Sequence, residues 1–129
     1  MTERELQLRR EIFETFAATG SPPYVAAEPA LEGLAEKHVV VLDRSGSRVH
    51  MAHPFAAHRE GTRVDAGART WWGSCAWDGL GIAAALGLRE ATVVSNEVEL
   101  HVRDGRVGGE GVFHVALPAA EWWADIRFT

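Results

Sequence analysis

The chain has a single cysteine, Cys75, and an aspartate, Asp78, follows it by three residues within TWWGSCAWDGLGIAAALG, residues 70–87. A thiolate attacks electrophiles and binds soft metals, and a carboxyl three residues on along a helix shares its face, within reach of whatever the sulfur holds. Gly73-Ser74 reads as a turn and Cys75 to Leu86 as a helix ended by Gly87, so the sulfur is expected at a helix N-terminus. Unpaired backbone N–H groups and the positive end of the helix dipole favour thiolate there. Gly79 and Ile82 continue the same face with little bulk beside Asp78. Trp71, Trp72 and Trp77 can wall an apolar substrate pocket in which a desolvated carboxyl keeps or takes a proton near neutral pH. The same spacing also has a purely structural explanation, since Asp at the third helical position caps helices and free cysteines are often buried.

Other chemistry-bearing residues point nowhere as specific. His50, His53 and His58 fall close together near Glu60, but their spacing matches no common zinc pattern. His101 and His114 read as strand-surface residues, and Trp122 and Trp123 as packing aromatics. Neither G-x-G-x-x-G nor G-x-S-x-G occurs. A formal charge of -5 with scattered basic residues argues against a nucleic-acid partner. No apolar run is long enough to cross a bilayer, and MTERELQLRREIF is too charged for a signal peptide, so a cytoplasmic protein with no membrane partner is expected.

These residues must be held by a framework that 129 residues can build as one compact domain. Leu8, Ile12 and Phe16 recur every fourth residue between Glu3 and Ala18, predicting an amphipathic helix that Gly20, Ser21, Pro22 and Pro23 end. A second helix is expected from Ala30 to Lys37, then a hairpin of Val39 to Leu42 and Arg48 to Ala52 around DRSGS. Residues 1–57 thus read as a winged-helix-like subdomain, and residues 58–129 as a second, α+β subdomain. AAHREGTRVDAG reads as a linker, or as an edge strand over Gly61 to Val64. Strands are predicted at Ala68 to Trp72, Thr92 to Ser95, Val98 to Arg103 and Val112 to Leu117, with a hairpin turn at Asp104-Gly105. A helical turn over Ala119 to Ala124 and a last strand over Asp125 to Thr129 complete an α+β fold with a mostly antiparallel sheet.

WGSCAWDGLGIAAALG resembles the active-site segment of the organomercurial lyase (alkylmercury lyase) family, in which an aromatic, a small turn and Cys-Ala-x-Asp-x-Leu open a helix. The resemblance extends through MAHPFA, ATVVS and the LP that precedes the last helical turn. It implies protonolysis of carbon–mercury bonds: Cys75 would take the mercury of a small organomercurial and Asp78 would handle the proton delivered to the departing carbon. It implies no cofactor, with mercury(II) as a bound product that leaves to low-molecular-weight external thiols. The family pattern places a second active-site cysteine in the strand after the LP turn, and here the chain reaches Thr129 without one. The expectation is a C-terminally truncated enzyme of lyase type, intact or impaired in activity. The alternative is a non-catalytic protein that binds mercury or another soft metal through Cys75, or a winged-helix metal-responsive regulator.

Overall fold

The structure is a computed structural model, and residues 1–126 are described. Helix α1 (Glu3–Thr19) begins with a capping box in which the Thr2 hydroxyl accepts from the Glu5 N–H at 3.1 Å and the Glu5 carboxylate accepts from the Thr2 N–H at 2.7 Å. Leu8, Ile12 and Phe16 are its buried stripe, as their spacing predicts, and Gly20 ends it at φ 75°, a left-handed conformation that glycine adopts without strain. Helix α2 (Pro29–Glu36) starts on a proline, whose missing N–H costs nothing in a first turn. The two helices are clamped by Lys37 Nζ, 2.9 Å from Glu5 Oε1. Gly33 makes room for that carboxylate, because a β-carbon at this position would run into Glu5 Oε1. The hydrogen bond from Lys37, and then the one from the Thr2 backbone, hold the Glu5 carboxyl below its ordinary 4.5.

Strands β1 (Val41–Leu42), β2 (Val49–Ala52) and β3 (Phe55–Ala56) form a small antiparallel sheet in that order. The β1–β2 turn is organised by Asp43, whose carboxylate accepts from Ser45 Oγ at 2.6 Å and from the Ser47 N–H at 3.2 Å. Those bonds, Ser45 first, lower its pKa. Phe55 stacks on Phe16 with centroids 5.4 Å apart, joining this sheet to α1.

The larger sheet has the order β5-β4-β6-β7-β8, antiparallel throughout, from β4 (Thr62–Ala66), β5 (Arg69–Gly73), β6 (Glu90–Ser95), β7 (Val98–Arg103) and β8 (Arg106–Gly108). The turn between β7 and β8 has φ 50° at Asp104 and φ 71° at Gly105, the paired positive values that a two-residue hairpin turn of this twist requires. Helix α3 (Ala76–Ala85) lies on the face that carries Thr62, Val64 and Val93. Side chains alternate accordingly: Thr62, Val64, Trp71 and Val93 are buried, whereas Arg63 and Thr70 are exposed. With two antiparallel sheets and packed helices, the architecture is α+β.

Two sequence expectations are corrected. Gly61 to Val64 is neither linker nor edge: β4 pairs with β5 on one side and β6 on the other. Its polar Arg63 and Asp65 face away from α3 and pair with each other at 2.7 Å, which gave the strand a loop-like composition. Val112 to Leu117 forms no strand, and Val112 is 94% exposed. Period-2 apolar alternation is stable only against a partner strand and a covered face, and this segment has neither among the described residues. A 3-10 turn follows at Ala119–Ala124. Of the expected last strand, Asp125 and Ile126 form a bend and a turn, and residues 127–129 lie outside the described residues. Among the described residues no helix is long and apolar enough to cross a membrane.

Candidate functional site

Strand β5 stops at Gly73 and α3 begins at Ala76, so Ser74 and Cys75 form the corner between them. Cys75 is the N-cap residue, extended at φ -143° and ψ 173°, and its side chain makes no cap hydrogen bond. It is a free thiol, half-buried. Asp78, one turn along, turns its carboxylate back over the corner, where Oδ2 accepts from the Ser74 N–H at 3.1 Å. The carboxylate therefore ties the helix to the residue that precedes its N-cap, and no side chain caps the N–H groups of the first turn through Cys75. Ser74 Oγ in turn donates to the thioether of the buried Met51 at 2.8 Å, which ties the corner to β2. His53, in the turn between β2 and β3, brings Nδ1 to 3.5 Å from Asp78 Oδ2, with side-chain exposures of 37% for His53 and 13% for Asp78.

The corner is set by backbone closeness. A β-carbon on Gly73 would lie 2.7 Å from the Asp78 β-carbon and 3.0 Å from the Pro54 carbonyl oxygen. One on Gly79 would lie 2.6 Å from both Thr62 Cγ2 and Val93 Cγ1. Real β-carbons essentially never come so close, so both positions require glycine to seat α3 this low on the sheet. On the β2–β3 side, Gly81 faces the Pro54 ring at 3.2 Å on the same count.

The three tryptophans proposed from the sequence occupy three different surroundings. Trp71 is fully buried on the α3 face, where its Nε1 donates to the Ala17 carbonyl at 2.9 Å and the Arg69 guanidinium lies 4.6 Å from its ring centroid. Trp72 points to the opposite face of β5, beside Arg63 in register. Trp77, in the first turn of α3, is 69% exposed and meets Phe113 edge-on at 5.6 Å. Of the three, Trp77 is the one on the Cys75 helix, two residues from the sulfur.

The remaining candidates scatter. His50 and His58 stack on each other at 4.8 Å, and no group of three or more His, Cys, Asp or Glu side chains that could hold a metal ion occurs among the described residues. His101 pairs with Glu99 at 3.2 Å on β7, and Trp123 stacks on His38 at 3.8 Å. Two shallow concavities of about 310 and 270 Å³ lie along β7–β8 and β4–β6, lined by His101 and Arg103 among others, and neither includes Cys75. Sequence reasoning missed His53 as a neighbour of Asp78. The two lie far apart in the chain, and no periodicity relates them. Only the proximity of MAHPFA to the Cys75 segment in the folded chain reveals the pair.

A family model described as MerB: Alkylmercury lyase matches residues 55–129, which is more than half of the chain and includes β3, the whole larger sheet and α3. No curated protein and no solved structure matches.

Proposed function

We propose that this chain, which belongs to the alkylmercury lyase family, breaks carbon–mercury bonds by protonolysis, with Cys75 and Asp78 as its catalytic residues. The observation that carries this reading is the corner at the start of α3, within the matched region: a free thiol at the N-cap with no cap bond, and a largely covered carboxylate one turn on.

The Cys75 thiolate displaces the counter-ligand on the mercury of a small organomercurial and forms a sulfur–mercury bond. Mercury(II) is soft and prefers sulfur to oxygen or nitrogen. The Asp78 carboxyl then gives its proton to the carbon, and the electron pair of the carbon–mercury bond becomes the new carbon–hydrogen bond. A carbanion is a poor leaving group until protonated, so this step sets the barrier that a positioned acid lowers. Mercury(II) remains on Cys75 until two external thiolates remove it and restore the thiolate. The chemistry needs no redox cofactor.

The test is release of benzene from phenylmercury in excess thiol. Benzene from the unaltered chain, and none from Cys75→Ser, is the expected result. Stoichiometric mercury(II) binding without benzene would leave a sequestering protein instead, and a salt-dependent shift of duplex DNA would point to a regulator.

A further inference from the structure

A proton given up by Asp78 in every turnover has to be replaced, and the fold restricts how. The Asp78 side chain is 13% exposed. Its Oδ2 already receives the Ser74 N–H, and Gly73 lies so close that a β-carbon there would run into the Asp78 β-carbon. The group that reaches the same oxygen from outside is His53, with Nδ1 at 3.5 Å and a side chain nearly three times as exposed, at 37%. Imidazole can take a proton from solution on one nitrogen and donate from the other, which a hydrogen-bonding amide cannot do.

We propose that His53 is the positioning residue through which Asp78 recovers its proton, a role that rests on the lyase reading above. After the carbon has been protonated, Asp78 is a carboxylate. The Nδ1–H bond of the His53 imidazolium breaks and its proton passes to Oδ2, leaving a neutral carboxyl and a neutral imidazole, which is recharged by a proton from hydronium or from a solution acid such as the excess thiol, whose conjugate base stays in solution. No electron changes hands. Between turnovers the same contact holds the Asp78 carboxyl group at the corner of α3, and a 3.5 Å contact in a resting site has room to shorten when substrate excludes water. His53 acts on Asp78 alone and touches neither the organic group nor the mercury.

The experiment is steady-state benzene release from phenylmercury in excess thiol, comparing the unaltered chain with His53→Ala and His53→Gln. Because His53 is one step removed from the bond that breaks, each variant should lower kcat by about tenfold, below the range for a direct proton donor, with KM unchanged. Added imidazole should restore His53→Ala, since a free ring can enter the space left behind. Unchanged stoichiometric mercury(II) binding by both variants would show that the corner still forms. Unaltered kcat in His53→Gln would overturn the relay and leave only a hydrogen bond. A loss confined to KM, or His53→Ala that imidazole does not rescue, would overturn it as well. No benzene from the unaltered chain would overturn the lyase reading and this inference with it, a result distinct from equal rates in all three proteins.

Discussion

Helices α1 and α3 are attached to the same core by opposite means. Helix α1 is held by what its side chains contribute: a capping box, the Glu5–Lys37 pair and three large apolar residues, Leu8, Ile12 and Phe16, each at most 1% exposed. Helix α3 is held by what its side chains omit. Gly79 lets it settle onto Thr62 and Val93, and Gly73 lets the strand before it pass beside Asp78. Its N-cap position is occupied by a residue that caps nothing. The difference separates investment in stability from investment in chemistry: α1 can be long, charged and fully satisfied, whereas the first turn of α3 leaves the sulfur without a hydrogen-bond duty. Proteins often concentrate such local sacrifices at functional positions and compensate elsewhere.

The comparison can be broken from either side, and the largest effect should come from α1. Phe16→Ala removes a fully buried ring stacked on Phe55 and should cost about 3–5 kcal/mol, read as a lowered denaturant midpoint. Gly79→Ala should cost about 1–3 kcal/mol, because overpacking against Thr62 and Val93 outweighs the better helix propensity of alanine. Benzene release should fall with it as the corner is lifted. If Gly79→Ala instead raised the melting temperature, α3 would not be seated by close approach.

Thr2→Ala, which removes one half of the capping box, should cost about 1 kcal/mol. The clamp beneath it also predicts an acid limb. Glu5 has a lowered folded-state pKa, so its contribution is fully present above the ordinary 4.5 and is lost as pH falls through the lowered value. Glu5→Gln should flatten that part of the stability profile in an acid titration followed by circular dichroism. The smallest effect sharpens the contrast most. Cys75→Ser puts a good capping residue at the start of α3 and should stabilise the fold by about 0.5–1 kcal/mol while abolishing mercury capture. A destabilised Cys75→Ser would mean that the thiol is a packing group.

The same contrast explains what could be read from the sequence. The stripe of α1 is a property of side chains at fixed spacing, and Leu8, Ile12 and Phe16 are buried as that spacing predicts. Strand β7 matches its expected bounds, Val98 to Arg103, because the Asp104-Gly105 turn fixes its end. The start of α3 was legible to within a residue from Gly73-Ser74 before an apolar run. By contrast, β4 reads as polar because one of its faces is uncovered, and nothing local distinguishes such a strand from a loop. Val112 to Leu117 has the pattern of a strand without the neighbour that would make it one. The tryptophans beside Cys75 in the sequence diverge in space because adjacent strand residues face opposite ways, which puts Trp71 inside and Trp72 on the far face. The approach of His53 to Asp78 depends on how β2 and β3 pack beside α3, and that is a tertiary fact.

The end of α1 has one more consequence. Strand β5 is an outer strand of the larger sheet, and such a strand ordinarily offers free backbone groups to any other extended chain. Here the last turn of α1 meets it: Gly20 comes against the Thr70 carbonyl, and the Ala17 carbonyl takes hydrogen bonds from both Arg69, at 2.7 Å, and Trp71, at 2.9 Å. The helix end thus acts as a stopper on that margin, standing where another extended chain would otherwise pair with β5.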